Sequence, residues 1–342
     1  MTTDRVSFAV VVPHVIFGGA EQWTLDLIRG SCEEPGVRCV GVKVYDQSLS
    51  DDRQLDKFAE LAPLSDNIAA QADVVIGWEV TPRMRAELDE LGVPVINIAH
   101  RDDVMSISAT MGPSDVLAAV SPTCTRSFGS RSGEVTVIPN GVMLERVRTP
   151  LSPAEARRRL GLAPDTRIVG YLGRIDDRKQ CHLVADAVAT LGEPWHGLLV
   201  GSPTASAGYI NDYCARRAGD RVRILGATDD VALTLRAMDV FLLPSTTEAM
   251  SLSLLEAWAA GIPVLATPVG VLPELEDRFG ALSVPLSTRP TGRELIEAVS
   301  ASQSPLFAAT RDRAKQVIEA NFAQPASIRQ WLSLIRRVAA SK

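Results

Sequence analysis

Twelve short runs of apolar and β-branched residues punctuate the chain, six before residue 140 and six after it. The first set reads SFAVVV, VRCVGVKV, DVVIGW, PVINIA, VLAAV and VTVIP, and the second RIVGYLG, WHGLLVG, RVRIL, DVFLLP, IPVLATP and ALSV. Helical spacing of apolar positions fills the intervals. Near-continuous apolar runs that alternate with helices predict parallel strands covered on both faces. Each half is therefore expected to be a doubly wound α/β domain, giving two Rossmann-like domains that face a central cleft. A length of 342 residues suits two cores of ordinary size.

The joint is expected between Gly141 and Thr166, where TPLSPAEARRRLGLAPDT carries three prolines around one short helix. Ser152 as N-cap, Pro153 in the first turn and Glu155 three residues after the cap make a capping-box spacing. The expected division is residues 1–150, residues 151–324 and a C-terminal helix over 325–342. In that helix Ile328, Trp331, Leu332 and Ile335 form an apolar stripe, which is expected to pack back towards the first domain.

Charge differs between the halves. Residues 1–150 hold 13 Lys and Arg against 21 Asp and Glu, whereas residues 151–342 hold 22 against 20. An acidic first half argues against nucleic acid or an anionic membrane as partner. The opening MTTDRVSFAVVVP has an acid at Asp4 and an apolar run that stops at Pro13, so it reads as a first strand and not as a signal peptide. No apolar run reaches the roughly 18 residues of a membrane span. The five cysteines, Cys32, Cys39, Cys124, Cys181 and Cys214, are odd in number and lack metal-ligand spacing. They read as reduced thiols, which points to the cytoplasm.

In open α/β sheets ligands bind beyond the carboxyl ends of the strands, so candidate chemistry is sought there. After the first strand, Gly18 and Gly19 permit a tight turn into a helix whose free N–H groups suit an anion; the alternative is a plain turn. After RIVGYLG, the loop RIDDRKQ sets Arg174 and Lys179 five residues apart. It is either a diphosphate clamp or a solvated charged loop, and Asp176 and Asp177 favour the latter. After DVFLLP comes TEAMSLSLLEAWAAG, in which a helix is expected to begin near Met250 or Ser251. Glu248 and Glu256 are eight residues apart, about 12 Å if all steps are helical. They suit the two ends of a sugar nucleotide, its pyrophosphate on the helix N-terminus; otherwise Glu248 is a helix-dipole partner and Glu256 a surface acid. Small Ala249, Ser251 and Ser253 would let the backbone approach a ligand. His100 closes PVINIA and opens the HRDD loop (residues 100–103), as a polar group in the cleft or an ordinary loop histidine. The four histidines are not spaced as metal ligands, and no metal or cofactor is expected.

Taken together, GGAE at Gly18–Glu21, VIPNGV at Val137–Val142, GYLGRIDDRK at Gly170–Lys179 and TEAMSLSLLEAWAAGIPVLAT resemble the retaining glycosyltransferases of family 4, which have the GT-B fold. The last block looks like that family's Glu-x7-Glu region. The resemblance implies that Arg174 and Lys179 hold the donor diphosphate, with the Gly18 and Gly19 loop and backbone amides from Met250 through Ser251 to Leu252. It implies that Glu256 binds the ribose, that Glu248 contacts the donor-sugar hydroxyls, and that His100 hydrogen-bonds the sugar or the acceptor. Loops at Gly201–Pro203 and Gly226–Thr228 would frame the nucleobase.

The implied activity is transfer of a sugar from a UDP- or GDP-linked donor to a small hydroxyl acceptor, with retention, by a metal-independent same-face path. The acidic first half points to a soluble, neutral or cationic acceptor. Alternatives are a sugar-nucleotide 2-epimerase and a non-catalytic GT-B partner protein that binds sugar nucleotides. One departure bears on donor choice: where the family often has Glu-Gly-Phe-Gly, this chain has Glu248, Ala249, Met250 and Ser251, with less backbone freedom.

Overall fold

In the computed structural model, which describes residues 5–102, 110–204 and 208–341, every one of the twelve apolar runs contributes a strand. Asp4 and Asp103 of the segments quoted above lie outside the described residues. By its internal contacts the chain divides into two compact units, Met1–Gly141 with Gln324–Lys342, and Val142–Ala323.

The first unit holds β1 (Val6–Val12), β2 (Val37–Val44), β3 (Val74–Trp78), β4 (Val95–Ala99), β5 (Val116–Ala119) and β6 (Thr136–Val137) in the order β2-β1-β3-β4-β5-β6. All neighbours pair in parallel. Helices α1 (Gly19–Glu33), α2 (Asp52–Leu61) and α3 (Pro82–Leu91) connect them. Every residue of β3 and β4 is buried, which is why these strands carry apolar side chains on both faces. Val11, Val75 and Val95 pack with Met84 and Leu88 of α3.

The second unit holds β7 (Arg167–Leu172), β8 (Trp195–Val200), β9 (Val222–Leu225), β10 (Val240–Leu243), β11 (Val264–Ala266) and β12 (Val284–Pro285), in the order β12-β11-β10-β7-β8-β9. It is again wholly parallel. Its helices are α4 (Pro153–Arg159), α5 (Leu183–Leu191), α6 (Gly208–Ala218), α7 (Val231–Ala237), α8 (Leu252–Ala259), α9 (Leu272–Phe279), α10 (Gly292–Ser302) and α11 (Pro305–Asn321). Ser152 caps α4 reciprocally with Glu155, its hydroxyl accepting from the Glu155 amide at 3.3 Å. No helix among the described residues is long and apolar enough to cross a membrane.

The chain passes between units at Gly141 and Val142, several residues before position 150. Backbone pairing sets that point: the Val142 N–H donates to the Phe322 carbonyl at 2.8 Å, and the short turn Leu144–Val147 packs on α7 and α8. The final helix, α12 (Gln324–Ala339), packs on α1, β1 and β3 of the first unit. Ile328, Trp331, Leu332 and Ile335 are all buried there. Close approach depends on Gly30 of α1, where a Cβ would lie 2.3 Å from Ile328 Cγ2.

Trp331 is fully buried, so Trp331→Ala is expected to cost about 3–5 kcal/mol. Urea unfolding of the full chain reads this; a loss within about 0.5 kcal/mol, as at a surface position, would contradict the packing described.

Candidate functional site

Strand β7 lies between β10 and β8, so the connections leave it in opposite directions and the sheet's topological reversal falls between β7 and β10. Loops after these two strands cannot cover one another there, and a crevice opens beyond their carboxyl ends. Arg174 and Lys179 follow β7, and Glu248 follows β10.

Two glycines let the loops after β7 and β8 close up. Gly173 and Gly201 have φ of 151° and 155°, and a Cβ on Gly201 would stand 1.8 Å from the Gly173 carbonyl oxygen. The Ile175 N–H donates to Ser202 O at 2.9 Å, and the Thr204 N–H donates back to Ile175 O at 3.0 Å. Asp176 is buried as the N-cap of the turn Asp177–Lys179, accepting from the Lys179 amide at 3.0 Å. It is therefore structural, and only Asp177 of the acid pair is exposed. The Gln180 side chain donates to Pro244 O at 2.8 Å, and the Thr246 N–H to Arg178 O at 2.7 Å, which ties this loop to the one after β10.

Each acid of the Glu-x7-Glu pair has its own cation. Glu248 Oε1 takes Lys179 Nζ at 2.7 Å and the Ser245 hydroxyl at 2.7 Å. Glu256 sits in the second turn of α8 at 4% exposure and pairs with Arg146. The burial of Glu256 rules out a surface acid. Arg174, half-buried in the same loop as Lys179, makes no ion pair among the described residues. Helix α8 starts at Leu252 with Ser251 as N-cap, whose hydroxyl accepts from the Leu254 amide at 3.4 Å. The Leu252 and Ser253 amides, in the first turn, have no acceptor within the helix. Met250 is buried, whereas Ser251 and Leu252 are half-buried.

The segment Ala249, Met250 and Ser251 has no left-handed residue. The missing glycine freedom is supplied opposite it: Gly270 has φ of 62°, a Cβ there would meet Ala249 O at 2.4 Å, and the Val271 amide donates to Ala249 O at 2.9 Å. Gly226 follows the edge strand β9, two strands from β7, with nothing within 4 Å of a Cβ.

Gly18, Gly19 and His100 belong to the first unit. Gly18 is extended and Gly19 opens α1. Buried Glu21 curls back so that a Cβ on Gly18 would lie 2.4 Å from its Oε2, while its Oε1 accepts from the Ile16 amide at 3.3 Å. A carboxylate thus lies at the helix N-terminus where an anion was expected. His100 directly follows β4, with its ring edge-on to Trp23 at 4.8 Å and to Trp78 at 6.2 Å. Among the described residues its buried Nε2 has no hydrogen-bond partner, and burial pushes its pKa down to about 3. The imidazole is neutral at ordinary pH.

Sequence reasoning did not assign Arg146, Ser245, Gly270 or Glu21. For Arg146 a signal was available: a carboxylate on the all-apolar stretch LSLLEAWA must be buried with a cation. Among the described residues no three His, Cys, Asp or Glu side chains are grouped as a metal site requires.

Residues 166–303 match the family model described as glycosyl transferases group 1. Over 148 residues the chain is 32% identical to the lipopolysaccharide core biosynthesis mannosyltransferase LpsB of Rhizobium meliloti, covering 41% of this chain and 42% of that protein. Over 163 residues it is 38% identical to the D-inositol 3-phosphate glycosyltransferase of Actinosynnema mirum, covering 44% and 39%. The chain thus spans about two fifths of the length of these curated relatives. Among solved structures, Anabaena HepE in complex with UDP and glucose superposes with a TM-score of 0.81 at 18% identity, over 97% of this chain and 100% of that one. Sucrose-phosphate synthase from Thermosynechococcus elongatus gives 0.78 at 20% identity, over 99% and 100%. The chain thus has the GT-B fold of these structures, and its residues 166–303 match the family model of the group 1 glycosyl transferases.

Proposed function

We propose that the chain moves a sugar from a UDP- or GDP-linked donor to a small hydroxyl acceptor, with retention of configuration and without a metal. One observation carries the reading: Arg174, Lys179, Glu248 and the first turn of α8 gather at the reversal of the second sheet. The diphosphate would lie against Arg174, Lys179 and the amides from Met250 to Leu252; the Gly18 and Gly19 turn, whose helix N-terminus already holds the Glu21 carboxylate, is left out of this site. The base would fall towards Gly201–Pro203 and Gly226–Thr228. Glu256 would take the ribose hydroxyls.

In a same-face reaction the acceptor oxygen forms its bond to the anomeric carbon as the carbon–phosphate oxygen bond breaks, and the leaving phosphate takes the acceptor's proton. Charge builds on that phosphate. Preorganised cations and amides aimed at it are the largest electrostatic contribution such a site can make. Glu248, already bonded to Lys179 and Ser245, serves as a fixed acceptor for the donor-sugar hydroxyls and not as a proton-transfer base. Neutral His100, in the first unit, would offer an acceptor bound there a hydrogen bond without adding charge. The acidic first half suits a neutral or cationic acceptor, and the free cysteines suit the cytoplasm.

HepE was crystallised with UDP and glucose, which makes UDP-glucose the first donor to try in a panel of UDP- and GDP-sugars. A donor at 100 times its Kd should stabilise the chain by about 2.7 kcal/mol, seen as a raised Tm. Arg174→Ala should lower kcat/KM about 10²- to 10³-fold. Absence of any Tm rise or slow donor hydrolysis across the panel would refute the reading, as would an unimpaired Arg174→Ala.

His100 gives a pH test. Unfolded, the imidazole takes a proton below about 6.5; folded, not until about 3. Stability from this group is therefore complete above pH 6.5 and is lost as pH falls towards 3, at up to about 1.4 kcal/mol per pH unit. Urea unfolding at pH 7 and pH 4.5 should show His100→Phe losing less stability than the wild type; equal losses would contradict the neutral imidazole.

A further inference from the structure

Arg146 stands outside every block that resembles the family, yet it is the cation on the buried carboxylate of Glu256. It lies on the turn Leu144–Val147, which is pinned on both sides: Val142 N–H bonds Phe322 O at 2.8 Å, Arg146 N–H bonds Met143 O at 3.0 Å, and Val147 is buried. Around Glu256, α8 presents buried Leu254, Leu255, Ala257, Trp258 and Ala259. These give the carboxylate no hydrogen-bond donor from a side chain of their own stretch except the Trp258 indole, and Trp258 Nε1 has no partner among the described residues.

We infer that Arg146 is a positioning residue for the donor's ribose. This rests on the proposed donor reading. Its Nη2 donates to Glu256 Oε1, which keeps the carboxylate ionised in an apolar setting and fixes its rotation. An ionised carboxylate in fixed orientation accepts hydrogen bonds from the cis-diol of a ribose and gains nothing from a sugar that lacks those hydroxyls. Glu256 is five residues from the N-cap, about 7.5 Å along the axis from the amides proposed for the diphosphate. The guanidinium acts on the nucleotide only through Glu256. The donor class that follows is a ribonucleoside diphosphate sugar, discriminated against its deoxy counterpart by a residue that touches neither.

Calorimetric titration tests this with UDP and GDP, each beside its 2′,3′-dideoxy counterpart, on wild type, Arg146→Met, Arg146→Lys, Glu256→Gln and the double variant Arg146→Met/Glu256→Gln. For the nucleotide that the wild type binds, Arg146→Met should weaken the ribonucleotide about 10- to 100-fold and leave the dideoxy form nearly unchanged. Arg146→Lys should restore part of the difference, and the double variant should be no worse than Glu256→Gln. A merely structural pair would weaken both forms alike, or neither, and that result overturns the inference; so does additive loss in the double variant. If Arg146→Met does not fold, the double variant, which leaves no lone buried charge, carries the comparison. A wild type that binds neither UDP nor GDP shows that the donor reading itself has failed, and the inference falls with it.

Discussion

A carboxylate enclosed by apolar side chains must be met by a cation, as at Glu256, and half-buried Glu248 carries a cation of its own. Glu256 is answered by Arg146 and Glu248 by Lys179. Breaking such a pair leaves an uncompensated buried charge, at a cost of about 3–5 kcal/mol. The surrounding backbone is therefore tied down: Asp176 caps the turn that delivers Lys179, Gln180 anchors it to Pro244, and Gly270 makes room for the segment after Glu248. The acids and their cations hold the loops at the sheet reversal in one arrangement. Arg174 is the charge left over, and it is the group with the most to offer an anion.

The fold was readable because parallel strands buried on both faces leave no alternation of polar residues, so each appears as an unbroken apolar run. Helix ends were readable where the cap is a side chain, as at Ser152 and Ser251. The unit boundary was less so. Composition brackets the joint only between Gly141 and Thr166, and the crossing stands at the first end of that range, because backbone pairing with Phe322 is invisible to local composition.

For the site, residues that stand just after strands could be found by position: Arg174, Lys179, Glu248 and His100. What they touch could not. Lys179 and Glu248 are 69 positions apart and Arg146 and Glu256 are 110 apart, so neither pairing leaves a local trace. The neutral state of His100 depends on Trp23 and Trp78, which come from other elements. The Ala249–Met250–Ser251 departure looked like a loss of backbone freedom. In the structure that freedom resides at Gly270, and ordinary backbone suffices for the segment.

A nucleoside diphosphate seated at the reversal of the second sheet, as proposed, would shield the loops there from solvent. Hydrogen–deuterium exchange with and without UDP, resolved by peptide, tests it most directly. Protection is expected to concentrate in residues 173–180 and 246–256, where the cations and the first turn of α8 lie. Binding with protection elsewhere and none in these two segments would contradict it.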